Sequence, residues 1–230
     1  MGQHLLPGNP PVELTLRRSA RARRISLRVS GLDGAVTLTL PRGVSEGEGL
    51  KFARSKGDWL RAQISDQPEI VTVSSGMEIP VEGEMLRIMP GTGKRVVPEG
   101  DALLVPGPEE AMASRLQAFL KTLARDRLAT ASDRYAGLIG RPYSRLTLRD
   151  TRSRWGSCTA AGGLMYSWRL IMAPPEVLDY VAAHEVAHLQ EMNHSAAFWS
   201  LVEHLMPDYR DPRQWLRKEG GALHRYRFGD

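Results

Sequence analysis

A single cysteine, Cys158, in a chain of 230 residues leaves no partner for an intrachain disulfide. It also excludes zinc-finger and zinc-ribbon sites, which need at least two thiolates. Any metal must then be held by histidine, carboxylate or water. Long apolar runs are absent as well. No stretch approaches the roughly 20 residues needed to span a bilayer, so no membrane partner is expected. Residues 1–11 lack the charged-then-apolar layout of a secretory signal, which together with the lone thiol points to the cytoplasm. Lysine is scarce: 26 of the 31 basic residues are arginine. Arg17, Arg18, Arg21, Arg23, Arg24 and Arg28 fall within twelve residues, with no aromatic side chain among them. Such a run suits a nucleic-acid backbone or a nucleotide, but the missing stacking residues favour a charged edge hairpin that resists strand pairing. No glycine-rich phosphate loop and no repeat of 20–50 residues is present.

What remains is the composition of a soluble globular protein, 42% hydrophobic and 25% charged, with a net charge of +5 that permits anionic ligands without demanding them. Residues 1–10 carry two Pro and two Gly and read as a loose tail. Val12–Leu16, Ile25–Val29 and Val36–Leu40 alternate apolar and polar; the last two flank the turn-rich Ser30–Gly34 and read as a hairpin. Ser45, with Glu48 three residues on, predicts the N-terminus of a helix running to about Ser65. Five short apolar pieces between Ile70 and Val105, punctuated by Gly and Pro, read as a small antiparallel β region. Pro106-Gly107-Pro108 is the clearest linker and divides the chain into residues 1–107 and 108–230.

In the second half, a period near 3.6 predicts a long helix over 109–138, stopped by Gly140. Arg145–Asp150 and Gly163–Leu170 read as strands, the latter as an edge lining a cleft, and Pro174-Pro175 opens another helix. The fold class is therefore α+β. A mainly antiparallel β region with a helix leads, followed by a helical domain with a small antiparallel sheet.

That last helix carries His184-Glu185-x-x-His188, with His194 six residues further on. Four residues advance about 400° on a helix, so His184 and His188 lie one above the other and can close on one metal ion. Glu185, about 100° round, can reach water at that ion. With six His and fifteen Glu in the chain, the five-residue pattern arises by chance with a probability of roughly 1%, and with His194 at its fixed place roughly 0.03%. Three ligands leave one position open, the pattern of a catalytic zinc site with Glu185 as general base. On a continuous helix His194 would be about 9 Å further along the axis and about 120° off the face. The helix must therefore break, after roughly Met192, with Asn193 in a left-handed turn and Ser195 capping the next helix, Ala196–Met206. Glu191 is an alternative ligand. Tyr166 and Arg154 are candidates to stabilise an oxyanion.

These residues resemble the YgjP-like metallopeptidase family of zincin-type proteins. The likeness rests on Arg154-Trp155-Gly156-Ser157-Cys158, the Gly163–Leu170 strand, Tyr180–Leu189, Glu191–Ser195 and Phe198-Trp199, and more loosely on the arginine-rich hairpin and Trp59. It implies zinc bound by His184, His188 and His194, a catalytic Glu185, a peptide or protein substrate, and a zincin-like cleft similar to that of DNA–protein-crosslink proteases. Glu191 stands where metzincins carry Gly, which separates the chain from them. Nucleotide pyrophosphate hydrolysis has also been attributed to this family. A zinc-containing nucleic-acid- or protein-binding module is the non-enzymatic alternative. Neither the substrate nor the oligomeric state follows from the sequence.

Overall fold

The computed structural model describes residues 2–30, 34–65 and 69–229, and the chain divides into two compact units, 1–69 and 70–230. In the first unit four strands form one mixed sheet: β1 (Gly2–Leu6), β2 (Val12–Arg18), β3 (Ser26–Val29) and β4 (Val36–Leu40), in the order β1-β2-β4-β3. The expected hairpin is β3–β4, antiparallel from Val29↔Val36 to Ser26↔Thr39; Gly31–Asp33 of its turn lie outside the described residues. Two features differ from expectation. The supposed tail is β1, antiparallel to β2 from Gly2↔Leu16 to Leu6↔Val12, and β2 runs parallel to β4. Alternation exposes which residues share a face, but not which distant strand they join.

The helix expected over 45–65 is two, α1 (Glu46–Ser55) and α2 (Gly57–Ser65). Ser45 caps α1 as its sequence predicts, its hydroxyl accepting from the Glu48 amide at 3.2 Å. The break falls at Lys56, whose N–H closes the last turn onto Ala53, just before the buried Gly57. Both helices cover one sheet face, where Leu6, Val12, Leu14, Leu16, Val36, Leu38, Leu40, Ala53 and Leu60 form a core of their own.

The second unit begins with β5 (Val71–Thr72), β6 (Glu78–Val81), β7 (Glu84–Gly91), β8 (Val97–Glu99) and β9 (Ala102–Pro106). The last four make a sheet in the order β6-β7-β9-β8, in which β7 and β9 are parallel, so this region is mixed rather than purely antiparallel. Pro106-Gly107-Pro108 does not separate the units. It turns β9 into α3 (Glu109–Ile139), and Val105 and Met112 on either side belong to one core; the units part instead at 69/70. A Pro-Gly-Pro sequence marks a turn, whereas a boundary also needs two separate cores.

α3 ends on Gly140 in the left-handed conformation, φ 62°, as its glycine predicts. β10 (Arg145–Arg149), β11 (Gly156–Cys158) and β12 (Gly163–Ser167) form the three-stranded sheet that serves the site, ordered β10-β12-β11. The strand expected to be an edge, β12, is thus central, parallel to β10 and antiparallel to β11; the edge is β11. The expected run to Leu170 leaves the sheet early, as a 3₁₀ turn over Trp168–Met172. α4 (Pro175–Ala187), α5 (Ala196–Leu205) and α6 (Arg210–Lys218) follow, and β13 (Tyr226–Arg227) pairs with β5.

Two polar clusters fasten this unit. Asp179 on α4 accepts from Arg134 and from the Tyr135 hydroxyl at 2.6 Å, tying α4 to α3. Arg169, buried, is gripped by both Asp150 oxygens at 2.7 and 3.1 Å and donates to the carbonyls of Leu223 and Tyr226. That guanidinium holds the Asp150 carboxyl below its usual range, against the opposing effect of burial. No helix among the described residues is long and apolar enough to cross a membrane.

Candidate metal centre

α4 buries nearly all of its circumference: Val177, Val181, Ala182, Ala183, Val186 and Ala187 are all within the core. A helix so enclosed is rigid, and its histidines are placed by packing rather than by surface rotamers. The regular helix ends at Ala187, earlier than the expected Met192. His188 is its C-cap, followed by turns in which the Gln190 and Glu191 amides donate to the Ala187 carbonyl. Asn193 is not left-handed: Glu82 is the only non-glycine with positive φ among the described residues. The reversal is made instead by the Glu191 segment, whose carbonyl lies 2.9 Å from His188 Nδ1. Ser195 does cap α5, accepting from the Phe198 amide at 3.3 Å.

This early break swings His194 back onto the pair. The three rings stand 4.8 to 5.1 Å apart between centroids, and His194 Nε2 lies 3.1 Å from His184 Nε2. One nitrogen from each of His184, His188 and His194 can be chosen so that all lie within 4.8 Å of one another. Phe198, fully buried, forms the floor beneath all three, with centroids 4.9, 4.4 and 4.8 Å away. Trp199 stacks on His194 at 5.8 Å, Tyr209 stacks on Trp199, and Arg213 lies 4.2 Å above the Trp199 ring. Phe198 and Trp199 belong to the stretch that carries the family resemblance; Tyr209 and Arg213 do not, and nothing in their own segment signals the contact.

The electrostatics suit a cation. Burial, the two other imidazoles and Arg213 push His184 down to about 3, so its ring is neutral near pH 7. His188 is also lowered, chiefly by burial. With Nδ1–H donated to the Glu191 carbonyl, the His188 lone pair sits on Nε2, and the carbonyl fixes that tautomer. Two ring nitrogens facing each other at 3.1 Å, beside a buried His184 Nδ1 that has no hydrogen-bond partner among the described residues, form a donor set that fits a divalent ion with a preference for imidazole. Glu191 contributes its backbone carbonyl; its carboxylate is not part of the cluster.

Glu185 is 5% exposed, and burial raises its carboxyl to about 8, partly offset by the charge of Arg154. It faces β11. A methyl group built on Gly156 would lie 2.5 Å from Glu185 Oε1 and 2.6 Å from its Cγ, so only glycine leaves room for the carboxylate. Gly156 is in turn held by its neighbours: the Trp155 carbonyl accepts from the Ser167 amide, and the Trp155 ring packs 5.1 Å from that of His224. Sequence reasoning passed over Gly156, although its place between Trp155 and Ser157 was in view.

Of the two oxyanion candidates, Tyr166 is fully buried with its hydroxyl 3.0 Å from Ser132 Oγ, which occupies it in a contact with α3. Arg154 is exposed and acts on Glu185. Cys158 is half-buried, with its thiol pushed up to about 11 by burial and by Glu185, which disqualifies it as a ready thiolate. His204 is exposed.

The family model described as "YgjP-like, metallopeptidase domain" matches residues 23–219, most of the chain. A relative from Escherichia coli (strain K12), UTP pyrophosphatase, is 42% identical over 48 residues, which cover 19% of this chain and 29% of the relative. No solved structure matches.

Proposed function

The chain belongs to the YgjP-like metallopeptidase-domain family, which makes it a metal-dependent hydrolase, and from that premise we propose that it is a zinc peptidase. The observation that carries the reading is the convergence of three imidazoles within 4.8 Å beside a buried carboxylate. His184, His188 and His194 would hold the ion. When bound, zinc supplies Lewis acidity toward the scissile carbonyl and the attacking water. Glu185 takes the proton from that water and passes it to the leaving amine. Arg154 offers a positive charge to the oxygen that becomes negative in the transition state. Phe198 keeps solvent from the far side of the three rings.

The peptidase reading draws further support from β11. One side of this strand pairs with β12 and the other has no strand partner among the described residues, so an extended peptide can add there by β-augmentation, next to Glu185. The expected cytoplasmic setting fits a peptidase of narrow specificity. A second reading, hydrolysis of a nucleoside triphosphate at the same centre, rests on the name of the matched E. coli relative. The test is a parallel assay of zinc-loaded protein on unfolded casein, a mixed peptide library and UTP, each repeated with His188→Ala. Peptide cleavage that disappears in the variant is expected. Turnover of UTP alone, lost in the same variant, replaces the peptidase reading with the second.

A further inference from the structure

The arginines of the first unit have an arrangement of their own. Residues 1–69 hold eleven Lys and Arg against seven Asp and Glu, four of the chain's five net positive charges. Strand register places them. α1 and α2 cover one face of the sheet; the opposite face presents Gln3 and Leu5 from β1, Glu13, Thr15 and Arg17 from β2, Thr37 and Thr39 from β4, and Ser26 and Arg28 from β3. Arg17 pairs across to Thr39, which pairs to Ser26; Thr15 pairs to Thr37, which pairs to Arg28. Two arginines thus flank a patch of hydroxyls, roughly 12 Å apart given the usual strand spacing and rise.

The remaining arginines crowd one margin of that face. The loop from Ser19 to Ile25 crosses the end of β4, anchored by the Ser19 amide on the Leu40 carbonyl at 2.9 Å. It carries Arg21, Arg23 and Arg24 past Arg17, and Arg42 lies just beyond the end of β4, after Pro41. All are exposed, and among the described residues none of Arg17, Arg21, Arg23, Arg24, Arg28 or Arg42 forms an ion pair with a carboxylate. Protection of a sheet edge accounts for Arg28 alone, because β3 is an edge strand while β2 is interior and the loop belongs to neither. Six uncompensated guanidinium groups repel one another, a standing cost that a polyanion would relieve.

We infer that this arginine-and-hydroxyl face binds the phosphate backbone of double-stranded nucleic acid. Guanidinium groups take phosphate oxygens in pairs, and serine and threonine hydroxyls are ordinary phosphate donors. No aromatic residue lies on the face to stack an unpaired base, so single strands gain little there and the denser charge of a duplex is favoured. A membrane surface fits less well. The outward apolar residue, Leu5, sits on the far strand beside Glu13, away from the arginines.

The test uses the full chain and a fluorescein-labelled DNA duplex of about 20 base pairs, followed by anisotropy between roughly 50 and 200 mM salt. Binding that weakens steeply with salt and is indifferent to sequence is expected, with the matching single strand bound more weakly. Arg17→Ala/Arg28→Ala should weaken it at least tenfold and lower the salt slope by about 2, one per lost phosphate contact. Arg21→Ala/Arg23→Ala/Arg24→Ala, which alters only the loop, should do at least as much, while Arg217→Ala/Lys218→Ala on α6 should change nothing. The inference is overturned if the duplex does not bind, if neither arginine variant weakens it, or if the α6 variant abolishes it. Equal or tighter capture by phosphatidylserine vesicles would overturn it in favour of a membrane.

Discussion

Glu185→Gln is expected to keep the bound metal and lose turnover by roughly 10²- to 10⁴-fold, the range that a positioned general base contributes. The substitution preserves shape and hydrogen-bonding length while removing the ability to take a proton. It also removes a carboxylate that burial disfavours in its charged form. The metal-free variant should therefore melt at the same temperature as the parent or higher, which separates a chemical defect from a folding one. Metal content, a melting curve and kcat on the substrate identified by the parallel assay are the readouts. Full activity in Glu185→Gln would remove Glu185 from the mechanism, and loss of metal would make it a structural residue.

Gly156→Ala is expected to lower kcat by about 100-fold, through displacement of Glu185 rather than loss of fold. The new methyl would stand 2.5 Å from Oε1 and 2.6 Å from Cγ, distances at which something must move. The carboxylate arm is the softer partner, because β11 is pinned to β12 by its strand register and the Trp155 segment is packed against His224. A double-variant cycle gives this its edge. If Gly156 acts only by making room for Glu185, then Gly156→Ala in the Glu185→Gln background costs little further activity, a strong departure from additivity. Additive losses would mean that Gly156 serves the reaction by another route, such as backbone contact with the substrate.

Much of the site was legible because its signals are local. The spacing of His184 and His188 and the cap at Ser195 depend on residues a few positions apart, and they fold as that spacing dictates. The α+β class and the long helix closed by Gly140 were legible for the same reason. What failed were choices made by distant partners. The strand Gly2–Leu6 exists because Val12–Leu16 offers it a ladder. β12 is central because β10 joins it in parallel from eighteen residues upstream. The helix carrying His188 stops at Ala187, not Met192, because backbone carbonyls, rather than a left-handed asparagine, supply the reversal. Pro106–Pro108 has the composition of a linker, yet the core runs unbroken across it. The arginine run shows the same limit: its count was plain in the chain, but which of its members share a face only strand register reveals.

The central claim is that His184, His188 and His194 together hold one zinc ion, and elemental analysis of the purified full chain tests it most directly. The account predicts about one zinc per chain after extensive dialysis, with little or none in His184→Ala and His194→Ala variants whose far-ultraviolet circular dichroism matches the parent. A parent protein that folds, refuses zinc when it is supplied and shows the same metal content as both variants would contradict it.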